Sequence, residues 1–152
     1  MMSGEITPSA ADAARLAQSQ VQSLYRTDHA SRSLGVEVID VAPGRVRTEM
    51  TVRGDMVNGH GMCHGGIIFA LADSAFAFAC NTYGIPMVAA GASIEFLAPA
   101  SSGERLAAAA HEISRNDRHG LYDVCVTNGS GRTIAHFRGR CSRLRKGASI
   151  AG

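Results

Sequence analysis

Residues 64–80 read His64-Gly65-Gly66-Ile67-Ile68-Phe69-Ala70-Leu71-Ala72-Asp73-Ser74-Ala75-Phe76-Ala77-Phe78-Ala79-Cys80, so one acid stands inside an almost wholly apolar run. A helix that is apolar on every side is typical of a protein core, where an ionised carboxylate is costly unless it is paired or used. No Lys or Arg lies between Arg53 and Arg105 to neutralise Asp73 from nearby in the sequence. The segment therefore predicts a buried helix over 67–80 with a working carboxylate, the alternative being a capping role or a distant ion pair.

On both sides of this helix the apolar residues alternate with a period of two, which is typical of strands. A hairpin precedes the helix, with its turn at Pro43-Gly44. Four strand-like runs follow the helix, and they cover residues 88–96, 105–113, 122–126 and 132–143. The order predicts an α+β fold, a curved antiparallel sheet wrapped around a long central helix. The unpaired edges of such a sheet favour oligomerisation.

The length of 152 residues fits one domain. We expect an N-terminal extension over 1–33 that carries one amphipathic helix, with Ser9 as its cap. The main domain is predicted over 34–145, and a flexible tail over 146–152.

Charge is distributed unevenly along the chain. Asp123 is the last acid, and the six basic residues after it give the C-terminal part about +6 against about −4 for the rest. A basic stretch of this kind suits a phosphorylated ligand, and a solvated strand face with a basic tail explains it equally well. The stretch lacks interleaved aromatic residues, so a nucleic-acid partner is not expected.

The cysteines and the N-terminus indicate a cytoplasmic protein. The four cysteines show no CxxC spacing, and residues 1–15 lack the apolar core of a secretory leader, so we expect reduced thiols. The 67–80 run is too short for a membrane span, and no membrane association is predicted.

His60, Cys63 and His64 are candidate metal ligands without a second cluster, so no metal is predicted. A Cys63 nucleophile with His64 as its base is the weaker alternative to a carboxylate mechanism.

Three features together resemble a known family. They are the segment Asn58-Gly-His-Gly-Met-Cys-His64-Gly65-Gly66, Asp73 eight residues beyond Gly65, and the strand Ser93-Ile-Glu-Phe96-Leu-Ala-Pro99. The pattern is similar to the hotdog-fold acyl-CoA thioesterases of the phenylacetate-degradation (PaaI) type, from about residue 34 to residue 143.

The resemblance implies an enzyme that hydrolyses an aryl- or phenylacetyl-type acyl-CoA to free acid and CoA, without a metal or redox cofactor. It also implies a homotetramer, a dimer of dimers with active sites at the helix-to-helix interface. Asp73 would be base or nucleophile, the Gly65 amide would polarise the thioester carbonyl, and Asn58 and His64 would organise the pocket. Ala77 departs from the pattern, because some relatives that act on aromatic acyl-CoAs have Thr there.

The residues themselves also point to a site shared by two chains. The first N–H groups of a helix are unpaired and attract developing negative charge, and glycine permits close approach. Asp73 lies roughly 12 Å further along the helix axis than Gly65, too far for both to reach one carbonyl within one helix. The expected substrate-binding residues are Gly66 at the helix start, Ser93 and Phe96 for the acyl part, and Arg115, Arg118 and Arg138 for the phosphates.

Two other functions compete with hydrolysis. A hotdog hydratase or dehydratase needs a His and an acid on one substrate, and the motif that would supply them is absent. A non-catalytic acyl-CoA sensor would carry a DNA-binding segment, and residues 1–33 offer at most one helix.

Overall fold

The computed structural model describes residues 4–145, and the predicted tail over 146–152 lies outside the described residues. The predicted order of hairpin, long helix and four strands is confirmed. The elements are α1 (Ala10–Thr27), α2 (His29–Ser33), β1 (Glu37–Ala42), β2 (Arg45–Thr51), α3 (Gly65–Cys80), β3 (Met87–Phe96), β4 (Arg105–Arg115), β5 (His119–Asn128) and β6 (Thr133–Arg143).

The six strands form one antiparallel sheet in the order β1-β2-β4-β5-β6-β3, and α3 packs against five of these strands. Phe76 of α3 lies against Tyr122 and Phe137 of the sheet. A Cβ atom at Gly139 would come within 2.7 Å of the Phe76 ring, so this glycine lets the ring approach the backbone of β6. The result is the α+β hotdog arrangement, a sheet around a central helix.

One face of α3 is open within a single chain, so one chain by itself buries the predicted helix only in part. Ile68, Leu71 and Phe76 are buried against the sheet. Ala70, Asp73 and Ala77 recur at helical spacing and are only half-buried. This open face consists of short side chains on either side of the acid, so it leaves room for a second element to approach closely.

The N-terminal extension holds two helices, whereas the sequence pattern predicted one. Ser9 caps α1 as expected, accepting a hydrogen bond from the Asp12 N–H. Asp28 both follows α1 and caps the short helix α2, and its carboxylate accepts a hydrogen bond from the Ser31 N–H. Five residues are too few to show an apolar period, so this cap was the only local sign of α2.

The edge strand β3 is unusually open. Of its ten residues only Met87 is buried and Ile94 half-buried, and the other eight are exposed. A long unpaired edge of this kind is a template for pairing with another chain. Within residues 4–145, no helix is both long enough and apolar enough to cross a membrane.

Candidate active site

The N-terminus of α3 presents one unpaired amide. His64 caps the helix, and its Nδ1 accepts a hydrogen bond from the Gly66 N–H at 2.9 Å. The His64 carbonyl accepts hydrogen bonds from the Ile67 and Ile68 amides at 2.9 and 3.2 Å. Among the described residues, the Gly65 N–H has no acceptor. Of the two glycines predicted to contact substrate, Gly65 therefore has its amide available, whereas the amide of Gly66 is held by His64.

A cleft of about 430 Å³ opens in front of this amide. Asn58 lines it, and the Asn58 Oδ1 accepts hydrogen bonds from the His60 and Met62 amides at 2.9 and 3.2 Å, which closes a tight turn. The remaining walls are mostly apolar, and the lining residues are Asn58, Met62, Cys63, Gly65, Ile68, Phe96, Leu97, Ala98 and Pro99. The structure thus brings together three predicted site residues that are up to 38 positions apart in the sequence, Asn58, Gly65 and Phe96.

Phe96 lies at the mouth of the cleft and is not a core residue. Its side chain is 53% exposed. A Cβ atom placed on Gly65 would lie 3.0 Å from the Phe96 ring, so glycine at this position keeps the ring close to the helix terminus. The ring is therefore available to an apolar ligand beside the free amide.

Asp73 is a half-buried carboxylate without a partner. Among residues 4–145 it has no hydrogen bond and no ion pair. Burial raises the pKa of this carboxyl above its usual range, and the nearby negative charge of Asp28 raises it further. A group of this kind on an open surface is more typical of a functional site than of a structural one.

Asp73 does not line the cleft around Gly65, although both residues belong to α3. Eight residues separate them, which is roughly 12 Å of helix rise. Within one chain, the free amide and the free carboxylate therefore lie in two separate places.

The predicted phosphate-binding arginines lie in different surroundings. Arg138 makes a two-pronged ion pair with Asp123, at 2.6 and 2.8 Å. Arg115 stacks 3.7 Å above the Tyr83 ring and lies 3.9 Å from Glu112. Arg118 instead lines an open groove together with other basic residues, and this groove is formed by Arg118, His119, Ser142, Arg143, Leu144 and Arg145.

Ser93 lies in the middle of the exposed edge strand β3, opposite Arg138 of β6. It precedes Phe96, the strand residue that lines the cleft, by three positions and does not itself line the cleft. Its hydroxyl has no hydrogen-bond partner among the described residues, so it is free to meet a ligand or another chain.

The alternative loop chemistries receive little support from the geometry. Cys63 is buried, and burial raises the pKa of its thiol, which opposes formation of the reactive thiolate. Its Sγ lies 3.8 Å from the His64 carbonyl oxygen, whereas the His64 Nδ1 is occupied by Gly66. Across residues 4–145, no three His, Cys, Asp or Glu side chains are grouped as metal ligands would be.

Comparison with known proteins identifies the family. The model of the thioesterase superfamily matches residues 60–135. The chain is 40% identical over 129 residues to the acyl-coenzyme A thioesterase PaaI of Escherichia coli K12, covering 85% of this chain and 91% of that one. It is 30% identical over 122 residues to human acyl-coenzyme A thioesterase 13, covering 78% of this chain and 87% of the relative.

A solved structure agrees with these sequence matches. The structure of the E. coli PaaI protein from the phenylacetic acid degradation operon superimposes with a TM-score of 0.86 at 37% identity, covering 87% of this chain and 96% of the other. The resemblance to PaaI-type hotdog thioesterases is thereby confirmed, and this chain belongs to the thioesterase superfamily.

Proposed function

We propose that the protein hydrolyses an acyl-CoA thioester to the free acid and CoA, with a site built by two chains. The observation that carries the proposal is the pair of unsatisfied groups on α3, the Gly65 amide at its N-terminus and the Asp73 carboxylate on its open face. Thioester hydrolysis needs both kinds of group, a donor for the developing oxyanion and a carboxylate that delivers the nucleophile. The E. coli and human relatives are named as acyl-CoA thioesterases, which supports the same reaction here.

In the proposed reaction the thioester carbonyl oxygen faces the Gly65 N–H. The helix terminus favours negative charge at this point, and it does so most in the tetrahedral intermediate. His64 holds the neighbouring amide of Gly66, so the helix presents a single well-oriented donor. The Asn58 amide group lies in the same cleft and is a second candidate donor.

Asp73 acts as base or nucleophile in this scheme. As a base it takes a proton from a water molecule while the water oxygen bonds to the carbonyl carbon, after which the C–S bond breaks and Asp73 returns the proton to the CoA sulfur. The raised pKa of Asp73 makes its carboxylate a better proton acceptor than an ordinary one.

The second chain supplies the missing half of each site. The open face of α3 carries small residues around Asp73, and the exposed strand β3 is an unpaired edge of the sheet. Two chains that join along these surfaces can place Gly65 of one against Asp73 of the other. We therefore propose a homotetramer made of two such dimers, with no metal or redox cofactor.

For the acyl group we propose an aryl or phenylacetyl type. The cleft beside Gly65 is lined by Met62, Ile68, Phe96 and Leu97, which suits an apolar planar group and offers no charged side chain to a polar one. The E. coli relative comes from a phenylacetic acid degradation operon, which points to the same class of substrate.

A thiol-release assay tests the function. The purified protein is incubated with phenylacetyl-CoA, benzoyl-CoA, straight-chain acyl-CoAs and an enoyl-CoA, with and without a chelator, and free thiol is measured. Release of CoA from the aryl substrates at the highest kcat/KM, unchanged by the chelator, supports the proposal. Binding without thiol release would identify a sensor, and hydration of the enoyl-CoA without thiol release would identify a hydratase.

Mixing two inactive variants tests whether each site is shared by two chains. Asp73→Asn and Gly65→Pro are expected to be inactive alone. In a mixed dimer one site carries both changes and the other carries neither, so random 1:1 reassembly should restore about one quarter of the wild-type rate. Activity is measured after the two variants are unfolded and refolded together, with each variant refolded alone as control. Absence of recovery, although mixed oligomers form, would place both residues in one chain's site.

Alanine substitutions at Arg118 and Arg138 form a matched pair of variants that tests contact with the CoA phosphates. Arg118 lies in a basic groove with Arg143, whereas Arg138 is already neutralised by Asp123. We expect Arg118→Ala to raise KM for acyl-CoA by about 2- to 5-fold with little change in kcat, because exposed contacts are weak and phosphates are held alike in ground and transition states. Arg138→Ala should change KM less. Equal effects on an N-acetylcysteamine thioester, which lacks the nucleotide, would contradict a phosphate contact.

A further inference from the structure

The junction between α1 and α2 is joined to α3 by a short chain of polar contacts. The Asp28 carboxylate accepts a hydrogen bond from the Ser31 N–H at 2.9 Å and another from the Ser31 hydroxyl at 2.7 Å. The Ser31 hydroxyl in turn lies 2.7 Å from the hydroxyl of Ser74, and this contact is buried. Ser74 follows Asp73 directly in α3. Two contacts of 2.7 Å therefore link the Asp28 carboxylate to the residue beside the proposed base.

Asp28 also faces the open side of α3. It lines a groove of about 490 Å³ together with Ala77 of α3 and Asn81, the residue that caps the C-terminus of α3. Ala77 lies one turn beyond Asp73 and on the same face of the helix. The Asp28 carboxylate is thus held by Ser31, and Asp28 lines the same groove as Ala77, one helical turn from Asp73.

We propose that Asp28 is a positioning residue for the hydrolysis, a second carboxylate that the Ser31–Ser74 link fixes beside Asp73 so that the reacting acid works in its electric field. The inference rests on the proposed function and deepens it. It assigns to the N-terminal extension a part in the chemistry that the hotdog domain alone would not supply.

The expected consequence is a stronger base. A nearby like charge disfavours ionisation, and the charge of Asp28 adds to burial in raising the pKa of Asp73. Other titratable groups on the elements packed around α3 are Tyr25 on α1, Cys80 on α3, Glu112 on β4, Tyr122 on β5 and Cys141 on β6. Glu112 accepts hydrogen bonds from Tyr83 and Tyr122, Cys80 is subject to the charge of Asp73, and the charge that raises the pKa of Asp73 is that of Asp28.

Asp28→Asn tests the negative charge of Asp28 separately from its role as the cap of α2. Asparagine is as good a helix cap as aspartate, so α2 should be retained while the negative charge is lost. Because Asp73 must be ionised to act, kcat/KM falls as the pH drops through its pKa. We expect Asp28→Asn to move this acidic limb to lower pH, because the neighbouring negative charge is lost. Asp40→Asn, an exposed acid on β1, is the matched control and should leave the profile unchanged.

A direct titration separates this inference from the proposed function. The Asp73 carboxyl carbon is followed by ¹³C NMR against pH in wild type and Asp28→Asn, with Asp73→Asn for assignment. A lower midpoint in Asp28→Asn supports the inference even if no substrate is hydrolysed, whereas absence of hydrolysis by wild type overturns only the proposed function. If Asp28→Asn fails to fold, Ser31→Ala, which keeps the charge but cuts the link to Ser74, should lower the midpoint. An unchanged Asp73 midpoint in the folded variants overturns the inference.

Discussion

Asp73→Asn is expected to lower kcat by about 10²- to 10⁴-fold, the range that a positioned acid–base group contributes. The substitution keeps the shape of the side chain and removes the charge that would accept a proton or attack the carbonyl. Binding of the free CoA product, measured by calorimetry, should be nearly unchanged, because the proposed phosphate contact is with Arg118 and not with Asp73. Asp40→Asn is the control for removal of a carboxylate elsewhere. A near-normal kcat on a good substrate would remove Asp73 from the mechanism.

Stability measurements distinguish lost chemistry from lost folding in this variant. Burial raises the pKa of Asp73 in the folded chain, so the folded state binds the proton more tightly than the unfolded state. The resulting loss of stability grows as pH rises through the unfolded pKa and is complete above the folded one. Asp73→Asn should therefore have a Tm equal to or above that of wild type at neutral pH, with this advantage disappearing in acid. A lower Tm at neutral pH would mean that Asp73 has a stabilising partner in the assembled protein.

Gly65→Pro is expected to lower kcat by about 10²- to 10³-fold, the loss measured when one oxyanion donor is removed. Proline has no N–H, so the substitution deletes the one free amide at the start of α3. The fold should tolerate it, because Gly65 is the first helical residue, where proline is favoured. The preceding residue, His64, already has the extended backbone that proline requires, with φ −60° and ψ 133°.

Gly65→Ala is the matched control for this variant. Both substitutions add a Cβ atom that meets the Phe96 ring at about 3.0 Å, but alanine keeps the N–H. Any loss due to displacement of Phe96 should appear in both variants, and the loss due to the donor only in Gly65→Pro. Equal kcat values in the two variants would show that the Gly65 amide does not stabilise the transition state. Circular dichroism of each variant checks that α3 is retained.

Local patterns were sufficient to predict most of the fold. The apolar run over 67–80 and the period-two alternation around it correspond to α3 and the six strands, because burial against a sheet imposes these periods on the sequence. The run predicted over 105–113 corresponds to β4, which continues to Arg115. The helix starts at Gly65, two residues before the predicted start, because the His64 side chain caps it.

The candidate site was predictable in part. His64-Gly65-Gly66 and Asp73 were recognisable because glycines at a helix start and an acid in an apolar run are both unusual. The sequence could not indicate that Phe96 lies against Gly65, that Asp123 neutralises Arg138, or that Asp28 reaches Ser74 through Ser31. Each of these pairs joins distant parts of the chain, and its geometry depends on strand register and helix placement.

The sequence by itself determined the order and type of the elements and the chemistry that α3 carries, because periodicity and helix capping are local properties that neighbouring residues set. Only the tertiary structure decided which amide of α3 is free, which arginines keep an unpaired charge, and that Asp73 lies on an open face with Asp28 close by. These outcomes depend on which distant hydrogen-bond partners and charges are brought together when the sheet wraps around the helix.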